Sequence, residues 1–112
     1  MEKLEHYQNM IIEVLKEHDM AKPENLPESE SQLIFDKENN HYLLYRIGWK
    51  GSERIHYCVF HIDIINEKIW VQEDNTDTII VDDFLERGVP KSDIVLGFKS
   101  PDARPHTEFA VA

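Results

Sequence analysis

Between residues 32 and 73 the chain alternates β-type segments with connections of only three or four residues, and this spacing constrains the fold more than any other feature. The segments 32–36, 41–49, 54–64 and 68–73 are rich in branched and aromatic residues. They are separated by turn-type residues at 37–40, at Lys50, Gly51 and Ser52, and at Asn66 and Glu67. A parallel crossover needs a dozen or more residues, so connections this short dictate antiparallel hairpins and a meander. The longest segment carries apolar residues on both parities. Regular alternation sends Cys58, Phe60, Ile62 and Ile64 to one face, and Ile55, Tyr57 and Val59, followed by His61 and Asp63, to the other. Neither face is then fully wet, and each needs at least partial cover.

Helices flank the strands. Leu4, Tyr7, Ile11, Val14, Leu15 and His18 recur at spacings of three and four, which predicts an N-terminal amphipathic helix. Pro23 and Pro27 end helical possibilities, so 21–30 is expected as a surface connection. After Asn75, Thr78 is a candidate cap, Asp82 and Asp83 suit a helix N-terminus, and Ile80/Phe84 and Val81/Leu85 pair at a spacing of four. Gly88 suits the left-handed position that ends such a helix, and Pro90 can open a further turn through Lys91, Ser92 and Asp93. An apolar segment follows at 94–98, and the irregular stretch 99–106 leads to an apolar end at Phe109, Ala110, Val111 and Ala112. The expected fold class is α+β: an antiparallel meander sheet with an N-terminal helix and a shorter C-terminal one. Its 112 residues fit a single domain.

Charge narrows the function. Asp and Glu outnumber Lys and Arg by 22 to 12, a formal net charge of −10. Nucleic-acid affinity draws heavily on Lys and Arg neutralising phosphates, so direct nucleic-acid binding is not expected. Arg87, Lys91, Lys99 and Arg104 make the last quarter the least acidic part, but four scattered bases are too few for a DNA footprint. A single cysteine, no apolar run of about 18 residues and no signal-peptide pattern at the start place the protein in the cytoplasm, away from membranes.

Several constellations invite chemistry. His61 and Asp63 share a strand face as two metal ligands would, whereas His56 faces the other way in a regular strand; the plainer explanation is a half-buried pair hydrogen-bonded to neighbours. His56 and Cys58 share a face as a base and nucleophile would, yet nothing orients the imidazole, and a structural thiol is the simpler account. The acidic run Glu73, Asp74, Asp77, Asp82 and Asp83 reads first as a solvated hairpin end and helix N-terminus, and second as a docking face for a basic partner. Its spacing does not make a calcium loop, and the four glycines do not form a phosphate-cradling loop. Trp49 and Trp70 are expected as core or interface anchors. On this basis no catalytic residue, cofactor or metal is assigned.

The chain resembles the XisI family, the fdxN element excision controlling factors. The matching stretches are KLEHYQNMI at 3–11, QLIFDKENNHYLL at 32–44, IGWKG at 47–51 and CVFHIDI at 58–64. They continue with KIWVQ at 68–72, GVPKSDIVLGF at 88–98 and TEFAVA at 107–112. They run in order from end to end and define a single XisI-like domain over 1–112. The resemblance implies a cyanobacterial accessory protein of programmed DNA excision during heterocyst differentiation. Such a protein acts without chemistry of its own, by contact with an XisH-like partner and a site-specific recombinase. It assigns no catalytic residues. Trp49, His61, Asp63, Trp70, Pro90, Lys91, Asp93 and Arg104 are the candidate surface or interface positions. Two other functions compete: an acidic, antitoxin-like protein masking the nucleic-acid site of an XisH-like nuclease-fold partner, and a small metal-dependent enzyme using His61 and Asp63. Partly apolar strand faces also allow a homodimer.

Overall fold

The structure, a computed structural model, describes residues 2–20, 28–76 and 79–112. Among these, an N-terminal helix α1 (Lys3–Asp19) precedes four consecutive strands, β1 (Glu30–Asp36), β2 (His41–Lys50), β3 (Glu53–Ile65) and β4 (Lys68–Asp74). A short helix α2 (Ile80–Glu86), a 3-10 turn (Lys91–Asp93), β5 (Ile94–Leu96) and a second 3-10 turn (Arg104–His106) complete the order. The sheet runs β1-β2-β3-β4-β5. The meander over β1–β4 is antiparallel as expected, and the apolar segment at 94–98 supplies β5, which pairs parallel with β4 across the α2 crossover. Most of the connection expected over 21–30, and the Thr78 cap, lie outside the described residues.

Turn chemistry sets the hairpins. The Asp36 carboxylate accepts the backbone N–H groups of Glu38 and Asn39, closing the first turn. Asn66 and Glu67 both hold positive φ, the pair of left-handed residues that a two-residue hairpin turn demands. Tyr7, Ile11, Val14 and Leu15 of the predicted stripe on α1 are buried, joined by Met10, and pack with Tyr42, Leu44, Phe60, Ile62 and Ile64; Leu4 and His18 at its ends are half-buried. Ile80, Val81 and Phe84 of α2 join the same core. Polar ties align the helices: His18 Nε2 meets Asp83 Oδ2 at 2.9 Å, and Arg87 donates to both Glu17 carboxylate oxygens at 2.9 and 2.7 Å.

The alternation expected for β3 does not hold along its length. From the Lys50–Glu53 pair at the turn, a strict register would set His41 opposite Ile62; instead His41 stands opposite Asp63. Leu44 faces Phe60 and Tyr45 faces Cys58, so Val59 is an extra residue, a β-bulge. One extra residue exchanges the two faces of everything beyond it. Ile55 and Tyr57 therefore share the helix-covered face with Phe60, Ile62 and Ile64. Cys58 lies on the opposite face, and His56 lies on that same face as His61. Burial dictates this: the bulge lets both halves of β3 point their apolar rows at the core.

The second face is covered at one end. Trp70 stands beside Val95, and Val95 is wholly buried because the C-terminal segment returns over it through a bridge with Ala110. Ala110 donates its N–H to the Ile94 carbonyl at 2.9 Å, and Phe109 packs against the core, so the apolar end is held as expected.

Helix α1 is clamped to this end by one carboxylate. Asp93 Oδ2 accepts from the Tyr7 hydroxyl at 2.5 Å and pairs with Lys3 Nζ at 2.8 Å. Burial pushes the Asp93 carboxyl up, but the hydrogen bonds from Lys3 and Tyr7 outweigh it and hold it below its ordinary value. Burial and the Asp93 bond push the Tyr7 hydroxyl well above its own. A carboxyl held down in the fold stabilises above its unfolded value and loses that contribution as pH falls; a phenol held up stabilises below its unfolded value and loses it as pH rises. Asp93→Asn is expected to cost about 1–3 kcal/mol at pH 7. Urea unfolding followed by circular dichroism should also show the variant losing less than the parent below about pH 4. Equal acid sensitivity in the two proteins would contradict this account.

Candidate functional site

The bulge at Val59 assembles a polar cluster on the partly open sheet face. His41 begins β2 immediately after the first hairpin turn and stands opposite Asp63, while His61 lies two residues before Asp63 on β3. His41 Nδ1 donates to Asp63 Oδ1 at 2.8 Å, and His61 Nε2 donates to the same oxygen at 2.9 Å. The two rings meet edge to face, with centroids 6.4 Å apart. Asp63 is 7% exposed, whereas the His41 and His61 side chains are 50% and 34% exposed. The hydrogen bond that His41 donates to Asp63 outweighs the small loss of hydration and raises the His41 imidazolium above its ordinary value.

A second bulge orients the carboxylate. β3 and β4 pair regularly from Ile65–Lys68 to Ile62–Val71, and then His61 faces Glu73, which leaves Gln72 as the extra residue. Gln72 Nε2 donates to Asp63 Oδ2 at 3.2 Å. Its amide oxygen occupies the space next to Gly97, where a Cβ would collide with it. Both Asp63 oxygens are thus held, one by two imidazoles and one by an amide. Sequence spacing identified His61 and Asp63 but missed His41, Gln72 and Gly97. The hairpin register carries that information, and it becomes legible only when the two bulges are counted.

The remaining predicted positions fall in three places. Trp49 is 50% exposed near the end of β2, opposite Arg54, whose guanidinium lies 5.2 Å from the indole centroid. On the same face Ile34 is 47% exposed, and Leu43, Tyr45 and Ile47 are half-buried. These residues form an apolar band next to the His41–Asp63–His61 cluster. Trp70 lies beneath the C-terminal segment, with the Arg104 guanidinium 5.0 Å from its ring and Arg104 Nε donating to the Lys99 carbonyl. Pro90 is exposed and precedes the 3-10 turn, Lys91 pairs with Glu108 at 3.1 Å, and Asp93 is the α1 clamp.

Two members of the acidic run, Asp74 and Asp83, are engaged within the molecule. Asp74 Oδ1 accepts from the Thr76 N–H and hydroxyl, and Oδ2 accepts the Ile80 N–H at the start of α2. Asp83 is tied to His18 and lies 4.0 Å from Arg87. Asp82 stays exposed, and Asp77 lies outside the described residues.

Cys58 and His56 share a face as expected, but the pair is not assembled for catalysis. The Cys58 thiol donates to the Phe60 carbonyl at 3.2 Å, and His56 packs edge-on against Tyr45 at 5.6 Å. Burial, with Glu73 nearby, pushes the thiol up to about 12. Iodoacetamide at pH 8 is expected to alkylate folded Cys58 at least about a hundredfold more slowly than the urea-unfolded chain. Comparable rates by mass spectrometry would contradict a half-buried, protonated thiol.

Among the described residues no helix is long and apolar enough to cross a membrane. No curated protein matches this chain. Two solved structures are similar over nearly the whole length. One, an XisI-like protein from Anabaena variabilis, is 39% identical, with 97% of this chain and 99% of that one covered and a TM-score of 0.88. The other, the fdxN element excision controlling factor XisI from Anabaena variabilis, is 40% identical, with 99% and 100% covered and a TM-score of 0.82. The family model for the XisI protein matches residues 1–111. With the fold, the two structural relatives and the family pattern in agreement over the same span, the chain belongs to the XisI family.

Proposed function

We propose that this chain is a non-catalytic controlling factor of programmed DNA element excision, acting by docking on an XisH-like protein and, through it, on a site-specific recombinase. The observation that carries this reading is the partly exposed band Ile34, Leu43, Tyr45, Ile47 and Trp49 on the sheet face. A half-exposed Trp stacked with Arg54 and flanked by branched residues has the composition of an interface centre, where aromatic and Arg side chains concentrate binding energy. The excision role is supported by the 40% identical relative that bears that description. The accessory character is supported by the protonated, backbone-bonded Cys58 thiol and by a net charge of −10, which disfavours direct grip on DNA. The internal engagement of Asp74 and Asp83 favours the apolar band over the acidic run as the docking surface.

Co-expression with an XisH-like protein encoded in the same genome, followed by size-exclusion chromatography and titration calorimetry, tests the reading. A stable complex is expected. Trp49→Ala should weaken it about tenfold or more, with little change in the melting temperature of the isolated variant, because Trp49 is half exposed. Adding the partner's DNA separates the two ways of acting: a ternary complex fits accessory control, and mutual exclusion fits a masking, antitoxin-like role. Absence of a complex, or a chain that only self-associates through the same band, would overturn the proposal.

A further inference from the structure

The cluster on the open face has the donor set of a metal site. We propose that His41 Nδ1, His61 Nε2 and Asp63 Oδ1 bind one divalent transition-metal ion of the zinc class, with the remaining coordination positions open to water. The inference stands apart from excision control, because it concerns an ion bound by the isolated chain.

Four observations carry it. Three ligand atoms from two adjacent strands lie within 4.8 Å of one another. The carboxylate is buried, and a buried carboxylate needs compensating charge or donors, which a divalent cation supplies. Its far oxygen is held by Gln72, the kind of second contact that orients a ligand, and Gly97 leaves the space that Gln72 needs. Both imidazoles are partly exposed, which leaves an entry path and unfilled positions on the outward side.

Two of the three ligand separations are already close to those a bound ion requires. The nitrogens now sit 2.8 and 2.9 Å from Asp63 Oδ1. A tetrahedral ion with bonds of about 2.0–2.1 Å separates its ligands by about 3.3 Å, so the two rings swing outward by about half an ångström. Each ring must present a lone pair where it now donates, so its proton resides on the other nitrogen when the ion is bound. Two imidazoles and one carboxylate suit zinc, cobalt or iron(II); calcium and magnesium prefer all-oxygen shells. Three protein ligands match the open type of zinc site rather than the closed four-ligand structural type.

The test uses the untagged full chain, freed of metal by a chelator and titrated with zinc chloride by calorimetry, with cobalt(II) absorption as a second readout. One zinc per chain and a visible cobalt band of low-symmetry coordination are expected. His41→Ala and His61→Ala should each abolish stoichiometric binding, and Gln72→Ala should weaken it about tenfold. His6→Ala and His106→Ala should leave it unchanged. Circular dichroism establishes that the variants fold; His41 is half exposed, so His41→Ala keeps the test decisive even if His61→Ala is destabilised. Absence of saturable one-to-one binding, or binding that survives both His41→Ala and His61→Ala, would overturn the proposal.

Discussion

The extra residue at Val59 sets the geometry on which both faces of the sheet depend. A strand paired through a two-residue turn has its facing chosen at the turn, and a one-residue insertion reverses it for all that follows. Before the bulge, Tyr57 packs against the helix-side core with Ile55 buried on the same face; after it, Phe60, Ile62 and Ile64 lie in that core. Without the insertion one of these rows would turn away from the core. Burying each large apolar side chain contributes about 1.5–3 kcal/mol, so three residues outweigh the local disruption of the ladder that a bulge brings.

The same reversal gathers the polar groups. His56, Cys58, His61 and Asp63 come to one face only because the strand changes parity between them, and His41 meets Asp63 only because the register has moved by one. The second bulge, at Gln72, brings an amide to the other carboxylate oxygen. A buried aspartate in the middle of a sheet is costly unless its oxygens are satisfied, and here His41 and Gln72 from the two neighbouring strands, with His61 of the same strand, supply the contacts described. Bulges that re-aim side chains toward a shared point are common beside functional sites, and this sheet carries two around one carboxylate.

Cover is distributed unevenly. The helix-side face is closed by α1 and α2, which are aligned by His18–Asp83 and Arg87–Glu17. The opposite face is closed over β4 and β5 by the C-terminal segment, with Arg104 over Trp70, and among the described residues stays partly exposed over β1–β3. The open part combines an apolar band with a compact nitrogen and oxygen cluster. Much of the acidity lies elsewhere, and part of it is engaged in helix starts and interhelical pairs, so the net charge is a poor guide to where this molecule makes contact.

Local patterning was enough to specify the elements and their order. The three-and-four spacing from Leu4 to His18 specified α1, the short connections specified the antiparallel hairpins, and Gly88 and Pro90 marked the end of α2 and the turn beyond it. These are local properties, governed by side-chain period, turn chemistry and the reach of a short chain. The ordered family stretches pointed to the same fold. Long-range packing was needed to fix which strand residues share a face, that Asp93 anchors α1, and that His41, His61, Asp63 and Gln72 converge. The reason is that a bulge has no local signature at Val59 or Gln72. It arises where the apolar rows of distant segments must reach one core, so the register is chosen by packing across the whole sheet rather than by the residues that carry it.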